Sequence, residues 1–441
     1  MTETVLLNAA WVVPVRPRGT VFEQHSVVIE RGRITALLPT KVAQSRFQGV
    51  REVNLGHHVL LPGLINMHTH SPMTLLRGYA DDRDMQSWLR EDIWPLEARF
   101  VSPEFVADGS RLAIVEMIRA GTTCFNENYF FPDAIAAAAD SAGMRACIGL
   151  PIIEMSTAWA ETVDDCFARG MQLAESYASH SRLQFSLAPH APYTVGDPTL
   201  ERIATYSATQ QMPVHMHLLE TAWEVQQSLE QYGKSPLERL DANGLLDERL
   251  LAVHMTQLES SDIETLAQHH VNIVHCPESN LKLASGICPL VELLEAGINL
   301  CIGTDGAASN NDLDLLAEAR AAALLAKGIS NDATQPDAFT TLEMLTINAA
   351  HALGIEDTVG SIEADKAADL VALDLNQART LPVHDVVSAI IYSAASAQFS
   401  DVWVAGRRLM KGGSLCTLDE ADVLARAVNW GRRIAAGRTV A

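Results

Sequence analysis

Five residues stand out by type and spacing. His68 and His70 form an HxH pair, and His217, His254 and Asp305 follow further along the chain. Side chains alternate along an extended backbone, so His68 and His70 point the same way and can chelate one ion. His217 and Asp305 complete a borderline-soft set of three nitrogens and one oxygen, which suits Zn2+, with Fe2+ as the alternative. Each residue alone is weak evidence, because a lone buried histidine is more often a hydrogen-bonded core residue than a ligand. The set is stronger, because every member falls at the C-terminal end of a short apolar run. Glu220 follows His217 by three residues, beyond the run, where a carboxyl can lean over the metal pocket as a proton donor or shuttle. Its bland alternative is a surface glutamate starting a helix. His57 and His58 precede the first run and are read as non-ligands. His269, His270 and His275 are read as structural or surface residues.

The runs that carry these residues alternate with amphipathic helical segments, the pattern of a parallel α/β sheet. Eight strands are expected, over Val59–Ile65, Gly121–Phe125, Arg145–Leu150, Leu183–Ala188, Val214–His217, Leu251–His254, Asn272–His275 and Asn299–Gly303. Eight is the number that closes a (β/α)8 TIM-type barrel, whose active sites lie at the C-terminal strand ends. Ser102-Pro103-Glu104 reads as an N-cap, a proline at the first helical position and an acidic first turn. No lysine lies in the fourth strand or the SLAPHAP segment after it. Two-metal barrels of this type generally need a bridging carboxylated lysine there, so one metal is expected.

Both chain ends have a different texture. VLLNAAWVV, SVVIERGRITALL and REVNL are β-rich, with a hairpin turn expected at Arg31-Gly32-Arg33. Ala368–Leu375 and Asp401–Leu409 read as strands again. The expectation is a small composite β-sandwich from residues 1–60 and 362–441, flanking a barrel over 61–361 of the 441-residue chain. A composition 48% hydrophobic and 20% charged fits a packed globular protein. A net charge of −22 argues against nucleic-acid binding and against docking on anionic membranes. The seven cysteines are scattered and form no CxxC pair, which suits a reducing compartment. The N-terminus lacks a basic n-region, and no apolar run approaches the ~20 residues of a membrane span. A cytoplasmic location is expected.

LPGLINMHTH, HLLE, the lone His254, HCPESN and GTDGAASNNDLDLL resemble the amidohydrolase superfamily over nearly the whole chain. PMTLLRGYADD, WPLEARF and APHAPYTV more narrowly resemble the 5′-methylthioadenosine/S-adenosylhomocysteine deaminases. The resemblance implies one zinc on His68, His70, His217 and Asp305. It implies that His254 hydrogen-bonds the attacking water or the tetrahedral oxygen, and that Glu220 contacts the purine and protonates N1. It places Glu97 on the ribose hydroxyls and His190 on the nucleoside. Asp305 and His254 would orient the water and take its proton. The partner implied is a purine nucleoside, and a homodimer or larger homo-oligomer is the assembly the family suggests.

In one respect the sequence departs from this pattern. Relatives that accept S-adenosylhomocysteine resemble one another in arginines after the third strand. Here no arginine lies between Arg145 and Arg169, and the loop offers Ile152, Ile153, Met155 and Trp159 alongside Glu154 and Glu161. A methylthio group finds sulfur-friendly apolar surface there, and an amino-acid carboxylate finds no partner. 5′-Methylthioadenosine is therefore expected to be preferred. Met73 and Leu76 are candidates for the 5′ side, and Trp88 or Trp94 for covering the purine. The rival reading keeps the machinery but puts it on a free base or an s-triazine, and a remoter one is a metal-free scaffold relative.

Overall fold

The computed structural model describes residues 4–438. Eight parallel strands follow one another around a barrel: β1 Leu64–Thr69, β2 Thr122–Glu127, β3 Arg145–Ile152, β4 Leu183–Pro189, β5 Val214–Leu218, β6 Leu250–His254, β7 Asn272–His275 and β8 Leu300–Ile302. They pair in sequence order. Asp305 N–H donates to the His68 carbonyl at 3.0 Å and joins the end of β8 to β1. The strands are almost wholly buried because helices cover the outer face, which is why their sequences read as continuous apolar runs.

The helices stop and start where their end residues direct. In Pro103–Arg119 the Ser102 hydroxyl accepts the Phe105 N–H at 3.2 Å, as the cap signal predicts. Pro132–Ala142 ends on Gly143 in the left-handed conformation.

Both ends of the chain contribute to a second, mixed sheet of nine strands. Val5–Val12 pairs antiparallel with Phe22–Glu30 and parallel with Arg51–Asn54 and His58–Pro62. Leu370–Asp374 adds antiparallel to the other side of His58–Pro62, and Phe399–Val404 and Arg407–Lys411 follow. The expected turn at Arg31-Gly32 is present, with φ of 52° and 78°.

Three sequence expectations are corrected. The first expected strand, Val59–Ile65, is two strands that belong to different sheets: His58–Pro62 in the mixed sheet and β1 in the barrel. Gly63 lies between them, in close contact with β2, since a Cβ there would lie 2.0 Å from Thr123 Oγ1. His68 and Thr69 therefore lie inside β1 and not after it. The run Asp401–Leu409 is a hairpin, folded at Ala405 and Gly406, both at positive φ. The β-texture of the C-terminal stretch gives way to a helix, Glu420–Arg438. That helix packs on the barrel helix Pro103–Arg119, where Trp430 Nε1–H donates to buried Asp108 at 3.0 Å and the Trp430 ring meets Phe105 edge-on. Among the described residues, no helix is long and apolar enough to cross a membrane.

Candidate active site

The C-terminal rim of the barrel gathers the residues singled out by spacing. His68 and His70 come from β1 and the residue after it, His217 from β5, His254 from the last position of β6, and Asp305 from beyond β8. One donor atom each from His68, His70, His217 and Asp305 lie within 4.8 Å of one another. His68 Nε2 and His70 Nε2 lie 3.2 and 3.3 Å from Asp305 Oδ1, and the Nε2 atoms of His70 and His217 are 3.2 Å apart.

The opposite edge of each ring is anchored. His70 Nδ1–H donates to the Asn128 carbonyl, and His217 Nδ1–H donates to the His190 carbonyl at 2.6 Å. His68 Nδ1 meets His215 Nε2 at 2.9 Å. Anchoring Nδ1 leaves Nε2 as the inward lone pair, the arrangement a metal-ligating histidine needs. Burial pushes the His68 imidazole down to about 4, lowers His70, and holds His217 well below its usual value. Neutral imidazoles are the metal-binding form. Burial alone would raise the Asp305 carboxyl, but the His68 hydrogen bond and the neighbouring imidazoles hold it well below the usual carboxylate range. Its Oδ2 accepts from Ser279 and Ser309 hydroxyls at 2.6 and 2.8 Å, and its Oδ1 faces the histidines. Three neutral nitrogens and one ionised oxygen converge on one point. These residues would fit a divalent ion of zinc type.

Strain collects at the same rim. His254 and Asp305 take left-handed φ of 78° and 61°, and Leu219, next to Glu220, takes 50°. Such conformations cost non-glycine residues roughly 1–2 kcal/mol each and persist where packing enforces them. The Glu224 carboxylate enforces one of them, accepting the Leu219 and Glu220 N–H groups at 2.9 and 3.0 Å. This turn aims Glu220 back over the metal centre instead of out to solvent. Burial, helped by the charge of Asp305, pushes the Glu220 carboxyl up to about 8, against a weak pull from Ser285. His254 Nε2 lies 3.8 Å from Glu220 Oε1, and its Nδ1 meets Asn280 Oδ1 at 2.8 Å.

Above these groups opens a cavity of about 530 Å³. Glu97, His190, His217, Glu220, His254 and Asp305 all line it, together with Trp88, Trp94, Met73, Met85, Ile152, Ile153 and Met155. Both tryptophans reach the cavity, whereas Leu76 is buried in the core and is not among its lining residues. Glu154 turns away and accepts from Gly196 N–H and the Thr199 hydroxyl. Among the described residues, no lysine or arginine lines the cavity. Glu97 accepts the Tyr129 hydroxyl at 2.5 Å, and burial pushes its carboxyl up to about 7 against that bond.

Sequence reasoning missed Ser279, Asn280, Ser309, His215, Glu224 and Tyr129. The HCPESN run held Ser279 and Asn280 in plain view, but nothing in a linear sequence says which side chains they meet.

A closed (β/α)8 barrel with such a cluster at its C-terminal rim defines a metal-dependent hydrolase. The model of the amidohydrolase family matches residues 59–409, and the chain belongs to that family. Its relatives include the 5-methylthioadenosine/S-adenosylhomocysteine deaminases of Teredinibacter turnerae, 45% identical with 98% of each chain covered, and of Saccharophagus degradans, 43% identical with 98% of this chain and 97% of the relative covered. The crystal structure of an adenosine deaminase from Xanthomonas campestris with bound zinc superposes with a TM-score of 0.97 at 50% identity, covering 99% of each chain. An atrazine chlorohydrolase from Arthrobacter aurescens complexed with zinc shares the fold at a TM-score of 0.89 and 24% identity, covering 97% of this chain and 99% of the other.

Proposed function

We propose that the protein deaminates an adenine nucleoside at C6 by hydrolysis, with 5′-methylthioadenosine as the foremost substrate and one Zn2+ on His68, His70, His217 and Asp305. Full-length relatedness to deaminases of this substrate class supports the reading. The observation that carries it is the placement of Glu220, a buried carboxyl that lines the same cavity as the His68, His70, His217 and Asp305 cluster and whose burial pushes it up to about 8. Zinc held there supplies Lewis acidity, lowering the pKa of a water toward about 7. Glu220 delivers its proton to ring nitrogen N1 as oxygen adds at C6, so negative charge does not build up on the purine. Ionised Asp305 takes one proton of the water and passes it to the departing amino group. The second water proton returns to Glu220, which balances loss of ammonia and formation of the inosine product. His254 orients the attacking oxygen, His190 contacts the nucleoside, and Glu97 accepts hydrogen bonds from the ribose.

The apolar wall of Ile152, Ile153 and Met155, with no lysine or arginine among the described residues that line the cavity, favours a 5′-methylthio group over an amino-acid tail. The test is ammonia release by zinc-loaded protein from a panel of 5′-methylthioadenosine, S-adenosylhomocysteine, adenosine, adenine and an s-triazine. Turnover confined to nucleosides is expected, with kcat/KM for S-adenosylhomocysteine lower by about tenfold at least. Comparable values for these two would refute the 5′ preference, and turnover of the free base or triazine alone would refute the nucleoside reading.

A further inference from the structure

Glu97 sits in a largely apolar wall, where an unpartnered carboxylate is costly. Among the described residues, the Tyr129 hydroxyl is the one group that donates to it. Burial and the charge of Glu97 push the Tyr129 phenol well above its ordinary value, so it remains an O–H donor. Tyr129 itself is 6% exposed.

The residues just before Tyr129 are tied to the metal-binding strand. The Glu127 carboxylate accepts Ser71 N–H and the Thr69 hydroxyl. Asn128 N–H donates to the Thr69 carbonyl at 3.0 Å, and the Asn128 carbonyl accepts His70 Nδ1–H. Gly149 lets this segment lie against β3, since a Cβ there would stand 2.4 Å from the Glu127 carbonyl oxygen. Two consecutive residues therefore hold two different sites, Asn128 the metal ligand His70 and Tyr129 the carboxylate Glu97.

We propose that Tyr129 is a positioning residue that determines specificity for ribosides. By occupying Glu97 Oε1 it fixes the carboxylate at a set distance from the metal centre and leaves Oε2 for the vicinal hydroxyls of a ribose. The inference rests on the nucleoside reading above. It adds that the sugar is held by a tyrosine–carboxylate pair and not by Glu97 alone, and that the Asn128–Tyr129 step spaces the sugar from the reacting carbon.

The experiment compares wild type, Tyr129→Phe, Glu97→Gln and the double variant, all zinc-loaded with metal content measured. Steady-state kinetics with 5′-methylthioadenosine are paired with calorimetric affinity for its deaminated product. Loss of a hydrogen bond to a charged group predicts that Tyr129→Phe raises KM and the product Kd about tenfold, with kcat within about threefold and zinc content unchanged. The double variant is expected to be no worse than Glu97→Gln, because both changes break one unit. Preference for a riboside over its 2′-deoxyriboside narrows in Tyr129→Phe. If Glu97→Gln weakens binding while Tyr129→Phe leaves KM and Kd within twofold, Tyr129 only packs and the inference fails. If Tyr129→Phe loses zinc, it acts through His70, which also overturns it. If Glu97→Gln leaves KM and Kd unchanged, the nucleoside reading of Glu97 fails and takes this inference with it.

Discussion

Four imidazoles at the rim anchor Nδ1 on a neighbour and turn Nε2 inward, and two carboxyl groups beside them differ in charge. Against its burial, the His68 hydrogen bond and the neighbouring imidazoles hold the Asp305 carboxyl down in its ionised form, and burial together with Asp305 pushes the Glu220 carboxyl up toward its protonated form. Opposed protonation states in adjacent acids are what a base and an acid require. Glu220→Gln keeps the shape and the metal ligands but has no proton to give. Its kcat is expected to fall at least 100-fold, the usual worth of a general acid being about 10²–10⁴, with zinc content and melting temperature unchanged. Activity near wild type would disprove the acid role. Glu97 sets a pH dependence of a different kind. Free Glu97 titrates near 7, protonated below and ionised above. Ribose hydroxyls donate best to the ionised form, so substrate binding favours deprotonation. KM is expected to fall as pH rises through about 7 and then level off, and Glu97→Gln should flatten the curve.

Strands and turns were legible to different degrees. Seven barrel strands lay within a few residues of their expected places, because buried parallel strands are unbroken apolar runs. The first was misplaced because His58–Pro62 and β1 are both apolar and only Gly63 separates them; periodicity does not say which sheet a strand joins. The metal ligands were legible because strand ends place residues predictably. The positioning groups were not, since Tyr129 meets Glu97 across 32 positions and Ser279 meets Asp305 across 26. The same limit hid how the mixed sheet meets the barrel floor. Arg145, opening β3, pairs with Asp369 at 2.8 Å with side chains 7% and 2% exposed, and Asp369 also accepts Ala405 N–H. Asp369→Ala would strand a buried guanidinium, and a loss of about 3–5 kcal/mol is expected in urea unfolding. The folded fraction should keep wild-type kcat/KM, as the pair lies at the opposite end of the barrel from the rim.

For the molecule as a whole, ligands drawn from β1, β5 and β8 mean that an ion bound there bridges distant parts of the barrel. A ligand bound only by the folded state stabilises it by about 4 kcal/mol at 1,000 times its Kd. The melting temperature is therefore expected to rise with added zinc and drop with a chelator in wild type. His217→Ala should show neither response, and an equal response in both would place the ion elsewhere. The pairing of His58–Pro62 with Leu370–Asp374 has a consequence for biosynthesis. One edge of His58–Pro62 must wait unpaired while roughly 310 further residues are translated, roughly 15 to 60 s at ordinary ribosomal rates. By then every barrel strand has already been made. The nascent chain thus carries an open strand edge, a template for unwanted pairing, until the last sixth of the polypeptide emerges to cover it.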